Sequence, residues 1–124
     1  GDFVIMTAPQ TPSTQRLMNA SLLRKMKKTG VLINIGRGSN IVLDDLADAL
    51  YDGTIGGAAL DVFEIEPLPP DHRLWKAPNF LLTPHMAADG PYLDDRRRDL
   101  LIENCRRLRD GEELLNIVDK VNWF

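Results

Sequence analysis

The sequence predicts an α/β fold built on a parallel sheet, and two observations point to it. Short apolar segments of strand-like composition alternate along the chain with segments whose apolar residues recur at helical spacing. This alternation is typical of strand–helix–strand units, whose strands lie parallel and are joined by right-handed crossovers. In addition, residues 2–8 are apolar at nearly every position, as expected for a parallel strand that is covered on both faces.

Four strands are predicted from β-branched and aromatic content and from the residues that end each apolar run. The first two runs end at Pro9 and Gly36, and the last ends at Pro84. The third run differs from the others because it is rich in glycine and alanine. The predicted strands cover residues 2–8, 31–35 and 80–83, and the third strand lies within residues 55–63.

Three helices are predicted between and after the strands. Asn19 is a typical N-cap residue before the first helix, and Gly53 and Gly111 are placed to end the second and the third. Leucines at helical spacing mark a side of each helix that we expect to be buried, and Cys105 falls on that side of the third helix. The helices are predicted over residues 20–27, 43–52 and 91–110, with an irregular, proline-rich loop over residues 64–78.

The composition limits the classes of function. The chain has 124 residues, of which 44% are hydrophobic and 27% charged, as in ordinary globular domains. Its 15 basic and 18 acidic residues leave a net charge of -3, so we expect neither nucleic acid nor a membrane surface as a partner. The single cysteine excludes an internal disulfide and a multi-cysteine zinc site, and no metal site is predicted. No apolar run reaches the ~18 residues of a membrane span, and we expect a reduced, cytoplasmic setting.

Polar residues with catalytic chemistry follow the predicted strands. In open parallel sheets, ligands bind beyond the carboxyl ends of the strands, so residues at these positions converge on one edge. An arginine there can bind a carboxylate through its fixed fork of donors, and a histidine can give or take a proton near neutral pH. A neighbouring acid would hold the histidine in one tautomer. The candidate residues at this edge are Arg37, Asp61, Glu66 and His85.

Each of these residues also has an ordinary structural interpretation. Arg37 lies between two glycines and could be a surface turn residue, and His85 could be a half-buried histidine without a catalytic role. His72 lies away from the strand ends, and we interpret it as solvated. Cys105 is interpreted as a core residue rather than a nucleophile, and the arginines at 96–98 as a solvated helix face. The functional hypothesis therefore depends on four polar groups coinciding at successive strand ends.

The chain resembles the D-isomer-specific 2-hydroxyacid dehydrogenase family over nearly its whole length. The resemblance depends on seven short sequence segments. No single segment is specific for the family, but the order and spacing of all of them together are. The resemblance implies a Rossmann-like fold, here the second half of a dinucleotide-binding domain followed by a long C-terminal helix. The segments are PQTPST at 9–14, MKKTG at 26–30, NIGRG at 34–38, GAALDVFEIEPL at 57–68, TPHMA at 83–87, EN at 103–104 and NIVDK at 116–120.

The resemblance also implies a role for each candidate catalytic residue. Arg37 would hold the carboxylate and carbonyl oxygen of a small 2-ketoacid. His85 would be the general acid that protonates that oxygen in the reductive direction and the base in the oxidative direction. Glu66 would pair with His85. A positioned acid of this kind contributes ~10²–10⁴ in rate.

The cofactor implied by the resemblance is NAD or NADP. Asp61 would hydrogen-bond the nicotinamide carboxamide. The residues that would line the cofactor are Pro9, Ile35, Gly36 and Ala87.

Two features depart from the family pattern. His85 is followed by Met86, Ala87 and Ala88, so the packing next to the nicotinamide is expected to differ. The chain also has no Gly-x-Gly-x-x-Gly turn, which lies upstream of the matching region in family members. Because the sequence starts directly with a strand, we expect an N-terminal part of the protein to be missing. Residues 1–90 would be the C-terminal portion of the nucleotide-binding domain, and residues 91–124 the helix and tail that return to the substrate-binding lobe.

Several functions remain open at this point. The leading hypothesis is a D-2-hydroxyacid dehydrogenase or 2-ketoacid reductase, with glyoxylate or hydroxypyruvate as plausible substrates and a homodimer as the intact assembly. A corepressor-type module of the same fold, which senses NAD without turnover, would carry the same arginine, acid and histidine. Formate or phosphite oxidation is a third class, but formate enzymes carry glutamine at the position of Glu66. The 124 residues alone could also be an inactive fragment.

Overall fold

The computed structural model describes residues 1–121, and its ordered elements follow the predicted alternation. The chain divides into two compact units, Gly1–Ala87 and a second unit that begins at Ala88. Two short 3₁₀ turns, Gly38–Asn40 and Arg73–Lys76, interrupt the loops. The elements are β1 (Phe3–Met6), α1 (Ala20–Leu23), β2 (Val31–Asn34), α2 (Leu43–Tyr51), β3 (Gly57–Leu60), β4 (Phe80–Leu82) and α3 (Leu93–Asp110).

The strands form one sheet in the order β1-β2-β3-β4, with every neighbouring pair parallel. This confirms the predicted α/β fold with a parallel sheet. The register aligns the last residue of each strand with the last residue of its neighbour: Met6 with Asn34, Asn34 with Leu60, and Leu60 with Leu82. The four carboxyl ends therefore lie side by side.

Helix α2 shows how local sequence produces the core. Leu43, Leu46 and Leu50 recur at helical spacing and are buried. Asp44 and Asp45 occupy the first turn, where their negative charges interact favourably with the helix dipole. Asp52 follows the helix and Gly53 adopts a left-handed conformation with φ of 70°, which ends the helix as predicted. The fully buried leucines of the first unit's core are Leu23, Leu32, Leu46, Leu60 and Leu74.

The first unit covers only one face of its sheet, which corrects the expectation that β1 is buried on both faces. Val4 and Met6 pack against the core beneath the helices, whereas Phe3 and Ile5 are 65% and 60% exposed. Leu81, in the opposite edge strand, is 63% exposed. The reason is strand alternation: successive residues point to opposite faces, and α1 and α2 share one core on one face.

Helix α1 is shorter than the predicted helix over residues 20–27. Asn19 caps it as expected, because its Oδ1 accepts hydrogen bonds from the backbone N–H groups of Ser21 and Leu22. From Lys25 onwards the hydrogen bonds run to the third preceding residue instead of the fourth, for example from Lys25 N–H to the Leu22 carbonyl. The chain therefore tightens into turns before β2.

His72 is half-buried rather than solvated, which corrects that interpretation. Its Nδ1 accepts a hydrogen bond of 3.1 Å from the backbone N–H of Leu74, so the imidazole caps the turn Arg73–Lys76. The sequence alone did not indicate this role, because a histidine at an N-cap is uncommon.

The second unit consists of α3 and the following segment. Gly111 ends the helix with φ of 69°, and Arg106 joins Glu103 to Glu112 by ion pairs at 2.9 and 2.8 Å. No residue of α3 is buried in the described chain, and Cys105 is exposed, so its assignment to the core was wrong. Within residues 1–121, no helix has the length and apolar character needed to cross a membrane.

Candidate active site

The register places the candidate residues at one edge of the sheet. Asp61 and Thr83 each follow the paired residues Leu60 and Leu82, and Ile35 follows Asn34 on β2. Backbone hydrogen bonds continue the pairing one residue further, from Asp61 N–H to the Asn34 carbonyl and from Thr83 N–H to the Leu60 carbonyl, both at 3.0 Å. The polar side chains therefore start from positions fixed by the sheet.

Glu66 and His85 form a direct pair. The Nδ1 atom of His85 lies 2.7 Å from Oε2 of Glu66, and the two side chains are 49% and 36% exposed. The other carboxylate oxygen, Oε1, accepts a hydrogen bond of 2.8 Å from the backbone N–H of Phe63. An ionised carboxylate only accepts hydrogen bonds, so Nδ1 carries the proton of the pair and Nε2 is the ring nitrogen left for chemistry.

The surroundings keep Glu66 ionised. Partial burial raises the pKa of Glu66, but hydrogen bonds from His85 and from the Phe63 N–H outweigh burial, and the pKa lies below its ordinary value. The carboxylate therefore presents a full negative charge to the imidazole at neutral pH. Such a charge accepts the Nδ1 proton and fixes the orientation of the ring.

A cavity of about 400 Å³ borders this pair, and sequence reasoning did not find it. Apart from Glu66 and His85, its lining is apolar. The pair therefore stands between solvent and an apolar wall, and hydrogen bonds are electrostatically stronger next to apolar groups than in water. The apolar lining residues are Phe63, Pro67, Leu68, Trp75, Leu82 and Pro84.

Arg37 lies on the loop after β2, with its side chain exposed. The loop is held by Asn34, whose Oδ1 accepts from the N–H of Gly36 and whose Nδ2 donates to the carbonyl of Arg37, both at 3.0 Å. Within the described residues the guanidinium makes a single hydrogen bond, of 2.8 Å, to the Gly36 carbonyl, and no ion pair. It is therefore not engaged with Glu66 or His85. Asn34 was not singled out from the sequence, although an asparagine before a glycine turn is a known turn signal.

The Arg37 loop is nevertheless tied to the loop of Glu66. A Cβ atom on Gly38 would lie 1.9 Å from the carbonyl carbon of Phe63, so the two backbones touch where only glycine fits. Phe63 is the residue whose N–H binds Glu66. Contacts from Gly38 to Phe63, from Phe63 to Glu66 and from Glu66 to His85 therefore connect the Arg37 loop to the histidine.

Asp61 is buried, with 4% of its surface exposed. Its Oδ1 accepts from the Thr83 hydroxyl at 2.6 Å and the Met86 N–H at 2.9 Å, and its Oδ2 accepts from the Ala87 N–H at 2.8 Å. Burial raises the pKa of Asp61, but these hydrogen bonds and the nearby His85 together lower it by more. The pKa therefore lies below its ordinary value. Within the described residues Oδ2 has one donor, so it can still accept a second.

Three of the five residues predicted to bind the cofactor line a single small cavity. Ile35, Asp61 and Ala87 contribute to a cavity of about 80 Å³ whose remaining walls are mostly aliphatic. Apolar walls with one carboxylate acceptor suit a flat ring that bears a carboxamide, because the amide N–H finds an acceptor while the ring meets hydrocarbon. The residues present therefore fit a nicotinamide.

Pro9 and Gly36, the other two predicted cofactor residues, lie together on neighbouring loops outside that cavity. A Cβ atom on Gly36 would be 2.7 Å from the carbonyl oxygen of Ala8, so Gly36 packs against the backbone just before Pro9. Pro9 is exposed, and its carbonyl accepts a hydrogen bond of 2.7 Å from the Thr14 hydroxyl.

A parallel sheet with polar groups at the carboxyl ends of its strands is the architecture of α/β domains that bind ligands at that edge. A model of the NAD binding domain of D-isomer specific 2-hydroxyacid dehydrogenases matches residues 1–87. The chain belongs to this family, as the sequence motifs indicated.

Similar proteins support this assignment. Glyoxylate/hydroxypyruvate reductase A of Photorhabdus laumondii is 42% identical over 125 residues, which cover 96% of this chain and 39% of that protein. The NADPH-dependent glyoxylate/hydroxypyruvate reductase of Sinorhizobium meliloti, crystallised with NADP and sulfate, superposes with a TM-score of 0.90 at 38% identity over 99% of this chain and 40% of that one. A D-isomer specific 2-hydroxyacid dehydrogenase of Xanthobacter autotrophicus, crystallised with NADPH and MES, superposes with a TM-score of 0.87 at 40% identity over 95% of this chain and 48% of that one. The chain spans 35 to 40% of the length of the curated relatives it matches.

Proposed function

We propose that this chain carries the proton-transfer and cofactor-facing residues of an NAD(P)-dependent oxidoreductase that interconverts a small 2-ketoacid and the D-2-hydroxyacid. The observation that carries the proposal is the 2.7 Å pair of His85 and Glu66 at the strand ends. The family, and the glyoxylate and hydroxypyruvate reductases similar to the chain, support a substrate of that size. The cofactor is NAD or NADP, and three of the similar structures contain NADP or NADPH.

Each candidate residue would have a separate role in the reaction. Arg37, whose guanidinium is exposed, binds the substrate carboxylate through paired hydrogen bonds. His85 donates the Nε2 proton to the carbonyl oxygen as that oxygen gains negative charge, and takes it back in the reverse direction. Glu66 holds Nδ1 and stabilises the imidazolium. Asp61, Ile35 and Ala87 would hold the nicotinamide, which supplies or accepts the hydride when bound.

Grafting provides a direct test of this function. We expect that replacing the matching segment of the NADPH-dependent Sinorhizobium meliloti reductase with this chain gives a hybrid that oxidises NADPH when glyoxylate or hydroxypyruvate is added. His85→Gln should lower kcat of the hybrid by roughly 10²–10⁴-fold, because the proton donor is lost. Glu66→Gln should lower kcat by about 10-fold, because a neutral amide stabilises the imidazolium poorly.

Two matched variants control for the chemistry of the substitutions. His72→Gln changes a histidine that caps a turn outside the pair, and Glu64→Gln changes an exposed glutamate that lies 3.7 Å from Arg16. Both should keep kcat within about twofold, because neither side chain makes a hydrogen bond or ion pair with Glu66 or His85. If His85→Gln and Glu66→Gln slow the hybrid no more than these controls do, the proposed function is wrong.

The remaining expectations about the intact protein stay predictions. By resemblance we propose a homodimer, which sedimentation of the hybrid and of the intact protein would test. From the composition we also propose a cytoplasmic setting for the intact protein.

A further inference from the structure

The backbone of His85 has a conformation that is uncommon for residues other than glycine. Its φ is 54°, in the left-handed region where residues other than glycine are disfavoured by their Cβ atom. The His85 N–H donates to the Thr83 carbonyl two residues earlier, at 3.1 Å, so the turn is tight as well. Something outside the turn must hold it in place.

The Asp61 carboxylate supplies that support from both sides of the histidine. It accepts the hydroxyl of Thr83 before His85 and the N–H groups of Met86 and Ala87 after it. We call these three hydrogen bonds the Asp61 cluster. Hydrogen bonds to an ionised group are stronger than neutral ones, and at 4% exposure few water molecules compete with them.

The sheet determines why these residues meet. Asp61 and Thr83 each stand one residue beyond the paired Leu60 and Leu82, so their side chains start from adjacent strands at the same level. The Thr83 N–H is bound to the Leu60 carbonyl, which fixes the threonine backbone before its hydroxyl is used. The cluster therefore transmits the rigid geometry of β3 and β4 to the turn that carries the histidine.

We propose that Thr83 and Asp61 are positioning residues, which hold His85 in the strained conformation that directs its Nδ1 to Glu66. This inference rests on the proposed function for the value of that orientation, but the orientation itself is measurable without turnover. Loss of the Thr83 hydroxyl leaves Asp61 with two of its three donors, and the turn relaxes. The imidazole then leaves the 2.7 Å contact, and Nε2 no longer faces the substrate oxygen.

Thr83 separates positioning from cofactor binding better than Asp61 does. Asp61 has a proposed contact with the nicotinamide carboxamide, so its variants would disturb both. The Thr83 hydroxyl is committed to Asp61, and Thr83→Val preserves the shape of the side chain where it borders the small cavity. Thr83→Ser keeps the hydroxyl and serves as the conservative variant.

The first arm of the test uses the 124-residue chain and needs no activity. The carboxyl carbon of Glu66 is followed by NMR against pH in the wild type and in both Thr83 variants. We expect Thr83→Val to raise the pKa of Glu66 toward the ordinary glutamate value, because His85 withdraws its hydrogen bond, and Thr83→Ser to match the wild type. If Thr83→Val does not keep the wild-type circular dichroism spectrum, Thr83→Ala replaces it, since it lacks the hydroxyl and adds no volume.

The second arm uses the hybrid reductase. We expect Thr83→Val to lower kcat by roughly 10- to 100-fold, a size typical of a misplaced catalytic group, with KM for NADPH within about twofold and rescue by Thr83→Ser. An unchanged pKa of Glu66 in the variant that lacks the hydroxyl overturns the inference, whatever the hybrid does. If His85→Gln leaves kcat unchanged, the proposed function fails, while the NMR arm still decides whether Thr83 orients His85.

Discussion

Replacing Gly38 with alanine tests the contact that ties the Arg37 loop to the Glu66 loop. The new Cβ atom would lie 1.9 Å from the carbonyl carbon of Phe63 and 2.1 Å from its oxygen. Ordinary contact begins at 3.4 Å, so one backbone must move by about 1.5 Å, the difference between 3.4 and 1.9 Å. No side-chain rotation can relieve the overlap, because the atoms that meet the Cβ belong to the backbone.

We expect Gly38→Ala to lower the free energy of unfolding by about 3 kcal/mol, the upper end of the usual cost of overpacking. That is a large part of the ~5–15 kcal/mol by which small domains are stable. Urea unfolding followed by far-ultraviolet circular dichroism measures this loss of stability.

Gly90→Ala is the matched control, because its Cβ would meet no atom within 4 Å and its φ is not positive. Its free energy of unfolding should therefore stay within about 0.5 kcal/mol of the wild type. Equal stability of the two variants would refute the close approach of the two loops. In the hybrid reductase, Gly38→Ala should also raise KM for the ketoacid, since Arg37 moves with its loop.

Three further predictions concern acid stability, helix capping and the activity of the chain alone. The pKa values of Asp61 and Glu66 are lowered in the folded chain, so both carboxylates stabilise it above the ordinary carboxyl pKa, and this stability is lost as pH falls through the lowered values. The urea midpoint should therefore fall as the pH is lowered through and below the ordinary carboxyl values of 3.8 and 4.5, and it should fall less steeply in Asp61→Asn; parallel curves would mean that other groups are responsible. Asn19→Ala should cost about 1 kcal/mol in the same assay, because two N–H groups lose their acceptor, whereas Asn19→Ser should cost only a few tenths; an equal loss in both would exclude capping as the cause. The isolated chain should show no ketoacid-dependent oxidation of NADPH in an absorbance assay, because it has no Gly-x-Gly-x-x-Gly turn to bind the pyrophosphate; turnover that His85→Gln abolishes would contradict this.

The candidate site shows which parts of the structure are accessible to sequence reasoning. The convergence of Asp61, Glu66 and His85 could be predicted, because strand ends in a parallel sheet share an edge and each strand is recognisable locally. The support around them could not be predicted in the same way. The Thr83 hydroxyl and the contact of Gly38 with Phe63 each join residues more than twenty positions apart, and no local pattern reports such a contact.

By itself, the sequence determined the order and kind of the elements, their parallel arrangement, the Asn19 cap and the family. These depend on apolar periodicity and on residues with strong conformational preferences, which act over a few neighbouring positions. The tertiary structure decided how short α1 is, which sheet face is left open, that His72 caps a turn and that Cys105 is exposed. It also decided the strained backbone of His85. The physical reason is the same in each case: burial, capping and strain depend on which distant segments pack together, and that is settled only when the whole chain has folded.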